Sequence, residues 1–305
     1  MTGAPVRSLL FVPGTTVRWV GPAVASGADG LILDLEDAVP EDGKGPARRA
    51  VADTLGRGAA AGVLALVRVN GWGTGHLLAD LDAVVGPHLD GVCLPKVAGA
   101  ADVVALARVL DDLEAARGLP PGGLEVFPVA ETASGLRDVA AVCAASPRVR
   151  RISGVSHSVP GGDFDRALGS RWDPSGLAAL HTGAMAVLAG RAAGLDGILC
   201  GPSSDVEDLD HLRAVLERGR TLGADGALCI HPSHVAVAHE VFTPRPEEVA
   251  EARAVVAALD EAEAAGRAAV RVGGRMVDRA HRQASEETLR RARAGGRPAA
   301  EEAGG

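Results

Sequence analysis

Glu131 closes an apolar run, "FPVAE" (127–131), and "TASGLRD" follows at once with the composition of a first helical turn. A carboxylate at the end of a buried strand is costly unless a cation or a donor faces it. Polar residues close other apolar runs in the same way. Asp34, Glu36 and Asp37 end "GLILDLED", Arg68 and Asn70 end "LALVRVN", Lys96 ends "GVCLPKV", and His231 ends "GALCIHP". Asp163 follows a Gly-Gly pair in "VPGGDFDRALG".

Glu131 and Asp163 form a natural pair for a hard divalent cation. Mg2+ takes oxygen ligands and keeps several water positions, so one or two protein carboxylates suffice. Two facing carboxylates alone would raise each other's pKa, whereas a metal stabilises both ionised forms. A structural reading stands beside this one, in which Glu131 favours the positive end of the following helix and Asp163 caps a turn. Arg68 offers a planar fork to a substrate carboxylate, or else an ion pair to the acidic cluster at 34–37. His231 reads as a general base or as a structural hydrogen-bonding group. Lys96 is one of only two lysines, with Lys44, against 29 arginines. It would serve as a Schiff-base nucleophile if desolvated, but pairing with a carboxylate is the preferred reading.

These groups need a frame. Eight short apolar runs, at 8–14, 30–37, 64–70, 91–97, 124–131, 149–156, 197–201 and 226–232, alternate with amphipathic segments such as "DVVALARVLDDLEAARG". Continuous apolar strands separated by helices indicate a parallel sheet covered on both faces. Eight such units predict an α/β fold, a TIM (β/α)8 barrel, with a doubly wound open sheet as the alternative. In a barrel the active site sits at the carboxyl ends of the strands, where the polar residues above are found. The barrel is expected over 1–242, a C-terminal helical extension or lid over 243–294, and a disordered tail over 295–305. The extension reads as two helices joined by a hinge at Gly273-Gly274.

The 305 residues, 47% hydrophobic and 23% charged, have the balance of a soluble globular protein. A net charge of -8 gives no basic footprint for nucleic acid or an anionic membrane. No window approaches the roughly 18 apolar residues of a membrane span, and no secretory leader is evident, so a cytoplasmic location is expected. Cys93, Cys143, Cys200 and Cys229 are scattered singly, without zinc spacing, and read as buried free thiols.

With these residues assembled, the sequence resembles the citrate lyase β-subunit and malyl-CoA lyase family of the HpcH/HpaI aldolase superfamily. The resemblance spans about Arg7 to Ala294 and rests on motifs taken together and in order, including "RSLLFVPG", "GADGLILDLEDAV", "VRVN", "GVCLPKV", "VAETASGL", "GGDFDRALG", "CIHPSHV" and "GGRMVDRAH". It implies a Mg2+-dependent barrel that makes or breaks a carbon-carbon bond between a 2-oxo acid and the enolate of an acyl thioester. By that similarity Glu131 and Asp163 would be the metal ligands and Arg68 the clamp for the oxo acid. Pro13, Gly14 and Gly162 would line the substrate. Glu36 and Asp37 would orient metal waters and Arg68, and Asp278 would act as acid/base in a neighbouring subunit's site. A homotrimer or a multiple of one is therefore expected, with acyl-CoA or an acyl carrier protein thioester as the partner substrate; an aldolase that does not use CoA is the alternative. Two features depart from the family pattern: neither "RWVGPAVASGAD" nor "GALCIHP" carries a lysine, and "SHSVPG" is inserted before Asp163.

Overall fold

The protein is described from a computed structural model covering residues 5–155, 163–170, 176–203 and 205–295. Eight strands alternate with helices: β1 Ser8–Pro13, β2 Gly30–Asp34, β3 Leu64–Arg68, β4 Gly91–Leu94, β5 Glu125–Pro128, β6 Arg151–Val155, β7 Gly197–Cys200 and β8 Gly226–Cys229. They form one parallel sheet in the order β5-β4-β3-β2-β1-β8-β7-β6. The two edges meet through the bridges Val126↔Val149 and Val129↔Ser153, with Ala130 N–H donating to Ser153 O at 2.8 Å. The result is a nearly closed (β/α)8 barrel, as the alternation predicts.

Each strand contributes apolar side chains because both of its faces are covered. Seven of the eight give one residue to a single buried cluster: Leu9, Ile32, Leu66, Cys93, Phe127, Leu199 and Leu228. Side chains two residues apart share a face of a strand. One step beyond this layer, toward the carboxyl ends, lie Phe11, Asp34, Arg68 and Val129, and the next step reaches Glu36, Asn70 and Glu131. The barrel interior thus passes from hydrocarbon to charge within two residues. Burial pushes the Cys93 thiol well above its ordinary value, and the charges that reach it include Arg68, Glu131, Asp34 and Glu36.

The strands are shorter than the apolar runs suggest. Asp34 and Arg68 are the last residues of β2 and β3, whereas Glu36, Asp37, Asn70, Lys96, Glu131 and His231 lie on the loops that follow. Single backbone bonds run on past the strand ends, Leu35 N–H to Arg68 O at 2.9 Å and Val69 N–H to Cys93 O at 3.2 Å, and tie these loops to one another.

The chain divides into two compact units, one of them Val6–Ala238; the other takes up the chain from His239. The division falls inside the helix Pro232–Phe242 rather than after it. The second unit contains the helix Pro246–Ala264, the antiparallel pair β9 Val270–Val272 and β10 Arg275–Val277, and the helix Arg279–Gly295. Its own apolar core is Val255, Leu259 and Val277, with Val270 and Val272 against them. Gly273-Gly274 is not a hinge between helices. Both residues have positive φ, 55° and 82°, and they make the two-residue turn of a β-hairpin, a turn that glycine satisfies without steric cost. The segment expected as a disordered tail lies outside the described residues from 296 onward. Among the described residues no helix is long and apolar enough to cross a membrane. All four cysteines are buried and unpaired.

Candidate active site

Arg68 is the first fixed point. Its Nε donates to Asp34 Oδ1 at 2.7 Å and its Nη2 to Asp34 Oδ2 at 2.6 Å, a bidentate pair with a carboxylate that is 2% exposed. Nη1 lies 3.1 Å from Glu36 Oε2, and the Phe11 ring packs 4.8 Å beneath the guanidinium. Burial disfavours this cation, but the bonds and charge of Asp34 outweigh it and hold the pKa above its ordinary value. The ion pair to strand β2 expected as one reading is therefore present. It engages Nε and Nη2 and leaves Nη1 to Glu36, with the side chain 18% exposed.

Lys96 joins the other acidic groups. Its backbone N–H donates to Glu131 Oε1 at 3.0 Å. Its ammonium donates to Glu36 Oε1 at 2.5 Å and to both oxygens of Asp37 at 3.0 Å. Asp163 Oδ2 stands 3.9 Å from the same nitrogen. Lys96 is the only non-glycine with positive φ among the described residues, at 53°. The left-handed conformation costs roughly 1–2 kcal/mol for such a residue, and these four carboxylate contacts hold it there. Burial would lower the Lys96 pKa, yet the hydrogen bonds from Glu36 and Asp37 reverse the sign and keep the ammonium charged. That opposes a Schiff-base role and favours the carboxylate pairing.

Two carboxyls in this group resist ionisation. Burial raises Glu36 despite Arg68 and Lys96. Burial also raises Glu131; the Lys96 N–H counters it in part and the Glu36 charge adds to it. For Asp37 the bonds and charge of Lys96 outweigh burial and hold the carboxyl low. Glu36 Oε2 is buried and makes no hydrogen bond among the described residues, its contact being the ion pair to Arg68 Nη1. Asp163 opens the short helix Asp163–Leu168 and pairs with Arg166 one turn on.

These features decide whether a hard divalent cation fits. Asp34, Glu36, Asp37, Glu131 and Asp163 bring five carboxylates together against the cations Arg68, Lys96 and, at the edge, Arg166. An excess of oxygen anions, a buried carboxylate oxygen that makes no hydrogen bond and two raised carboxyls are what an added cation would relieve. Among the described residues no group of three or more His, Cys, Asp or Glu is placed to hold a metal ion. Mg2+ does not require one, because water and substrate oxygens fill most of its octahedron. The residues fit Mg2+.

The other expected site residues fall as follows. Gly14 is buried, and a Cβ there would press on the Asp34 carbonyl at 2.7 Å, so glycine lets β1 close on β2 under the acidic loop. Pro13 is paired in register with Asp34. Gly162 and the "SHSVPG" segment lie outside the described residues. His231 is exposed and its Nδ1 shares a hydrogen bond with Ser233 at 2.8 Å, a local turn contact. Asp278 belongs to the C-terminal unit; it accepts from the N–H groups of Ala280 and His281 and from the His281 ring, capping its helix. The His281 bond holds its carboxyl low. Sequence reading named Asp34 only as part of the acidic cluster, preferred for Lys96 the carboxylate pairing seen here, and named Lys44 without a role, although it bonds the main chain of the acidic loop. The signal was there in the rarity of lysine.

Residues 7–232 match the family model described as HpcH/HpaI aldolase/citrate lyase. The chain belongs to this family. Among curated relatives of this HpcH/HpaI protein, a (3S)-malyl-CoA thioesterase of Cereibacter sphaeroides is 37% identical over 290 residues, covering 95% of each chain. An L-malyl-CoA/beta-methylmalyl-CoA lyase of the same species is 35% identical over 309 residues, covering 94% of this chain and 95% of the relative. Among solved structures, protein CitE of Mycobacterium tuberculosis in complex with magnesium, acetoacetate and coenzyme A superposes with a TM-score of 0.73 and 30% identity, covering 96% of this chain and 99% of the other.

Proposed function

We propose that this HpcH/HpaI protein is a Mg2+-dependent enzyme of CoA esters that cleaves or forms a 3-hydroxyacyl thioester, the products being a 2-oxo acid and an acyl-CoA. The observation that carries the reading is the convergence of the Arg68 fork, the Glu131 carboxylate and the Lys96-linked Glu36/Asp37 pair over one apolar layer at the barrel mouth. The names of the malyl-CoA relatives and the magnesium, acetoacetate and coenzyme A of the CitE complex support it.

Glu131 and Asp163 would hold the ion, with Glu36 and Asp37 orienting its waters. Bound there, Mg2+ would act as a Lewis acid on the hydroxyl and carboxylate oxygens of the substrate. The outer edge of the Arg68 fork, pre-aimed by Asp34, receives the carboxylate of the oxo acid and fixes its plane. Lys96 keeps its proton and screens the acidic loop from that carboxylate. Cleavage releases the proton of the substrate hydroxyl, and the enolate of the departing thioester needs one. By the resemblance, Asp278 of a neighbouring subunit in a homotrimer would take up the first as a carboxylate, the form its His281 bond favours, and pass it to the enolate.

A second reading is thioester hydrolysis, favoured by the thioesterase name of the 37% identical relative. The two are separated with malyl-CoA, β-methylmalyl-CoA and citramalyl-CoA, each with Mg2+ and with EDTA. Oxo acid is read as its hydrazone and free thiol by a disulfide reagent. Oxo acid without thiol is cleavage alone, oxo acid with thiol in equal amount is cleavage followed by hydrolysis of the acyl-CoA, and thiol without oxo acid is direct hydrolysis of the substrate. Turnover indifferent to chelation would defeat the metal assignment, and inertness toward all three esters would redirect the search to acyl carrier protein thioesters or to oxo acids without CoA.

A further inference from the structure

With 29 arginines and two lysines, the sequence uses arginine almost everywhere it places a permanent cation. Both lysines grip the same short segment, Leu35 to Asp37. Lys96 holds it by the side chains, through Glu36 and Asp37. Lys44 holds it by the main chain. It begins the helix Lys44–Ala60, is 8% exposed, and directs its ammonium to Leu35 O at 2.8 Å, Glu36 O at 2.8 Å and Asn70 Oδ1 at 2.7 Å.

None of these acceptors is a carboxylate, so the buried charge is not spent on an ion pair. Three neutral acceptors around one nitrogen match the three donors of an ammonium and not the planar fork of arginine. Asn70 extends the tie: its Nδ2 donates to Leu35 O at 3.0 Å and to Asp80 Oδ2 at 2.6 Å. Asp80, wholly buried, accepts in turn from Arg48 Nε at 2.6 Å. The loops after β2 and β3 are thereby anchored to a single nitrogen.

We propose that Lys44 is a positioning residue for the active site: by fixing the carbonyls of Leu35 and Glu36 it sets where the Glu36 and Asp37 carboxylates meet Lys96 and Arg68. Lys44 acts through that segment and reaches neither substrate nor ion. The inference rests on the reading of Glu36 and Asp37 as the acidic edge of the site. Loss of such an outer partner lowers metal affinity or activity by roughly 10- to 100-fold.

Labelling with 15N-lysine gives a test that needs no turnover, because the chain offers only two lysine amides. The Lys96 amide donates to Glu131 and so reports on the site. In metal-free Lys44→Met and Lys44→Arg, the Lys96 amide signal is expected to move from its wild-type position. A Mg2+ titration followed on that signal is expected to weaken about tenfold or more, without rescue by arginine, and kcat is expected to fall while KM changes little. A variant that keeps the wild-type signal and the wild-type titration overturns the proposal; should Lys44→Met fail to fold, Lys44→Arg alone decides in the same way. If the wild-type signal ignores Mg2+, the metal reading falls, and the comparison of metal-free signals still decides the role of Lys44.

Discussion

Replacing Glu131 by glutamine separates a metal ligand from a structural acceptor, because the two roles predict opposite changes in stability. The amide oxygen of glutamine can still accept the Lys96 N–H that Glu131 accepts at 3.0 Å. The charge, however, disappears, and burial is the largest influence on this carboxyl, raising its pKa. A carboxyl raised in the folded state costs stability when it is ionised, above its folded pKa, and glutamine removes that cost. Metal-free Glu131→Gln should therefore melt at the same temperature as the wild type or higher. With Mg2+ the order reverses. An ion bound only by the native state, at a hundred times its Kd, stabilises by about 2.7 kcal/mol, which at about 2–4 °C per kcal/mol raises the wild-type Tm by roughly 5–10 °C. That increment should vanish in the variant. Differential scanning fluorimetry with EDTA and with a Mg2+ series measures both halves. A variant that loses several degrees without metal, or that keeps the Mg2+ increment, refutes the assignment and leaves Glu131 as a brace for the Lys96 loop.

Arg68→Lys keeps the charge but exchanges a two-bond fork for a point donor, and leaves Asp34, 2% exposed, with a poorer partner. A charged hydrogen bond is worth about 1.5–3 kcal/mol, so kcat/KM for the malyl-CoA test substrates should drop at least about tenfold; unchanged kinetics would exclude the carboxylate clamp. Borohydride with pyruvate should leave no adduct on Lys96, whose proton is held by Glu36 and Asp37, and a mass increase mapped to that residue would reverse this. Away from the site, Glu114 accepts from both Arg148 Nη groups and from the N–H groups of Gly122 and Leu124. Burial opposes its charge, but the Arg148 bonds lead the reversal and bring the carboxyl from 4.5 to about 2. At 1.36 kcal/mol per unit this is about 3 kcal/mol, present in full above pH 4.5 and lost as the pH falls toward 2. Urea unfolding at pH 7 and pH 3 should show Glu114→Gln losing about 2 kcal/mol less than the wild type over that interval, since pH 3 lies about 1.5 units below 4.5, and a variant as acid-sensitive as the wild type would place the loss elsewhere.

The barrel was legible because period and length agree: eight apolar runs with helices between them admit few other topologies, and strand ends mark a rim wherever the sheet closes. What the runs did not reveal is where the strand stops. "GLILDLED" reads as one strand through Asp37, yet β2 ends at Asp34, whose carboxylate accepts from the N–H groups of Glu36 and Ala38 while Lys44 takes the carbonyls of Leu35 and Glu36. The lysine half of this arrangement lies eight and nine residues downstream, beyond any local pattern. The hairpin at Gly273-Gly274 was misread for a different reason: three-residue strands are too short to show alternation, and the glycine pair alone is compatible with a hinge or a primed turn.

The candidate site was legible as a set of residues and illegible as a circuit. Glu131, Arg68, Glu36 and Asp37 could each be named from a strand end, but their order of contact depends on Lys96, whose left-handed backbone turns one residue toward both sides. Its N–H faces Glu131 while its ammonium faces Glu36 and Asp37, so the proposed ion ligand and the proposed acidic edge share one residue as their mechanical link. Any change in the loop 94–97 must then alter both together, which is why neither carboxylate can be assigned its role from its own strand alone.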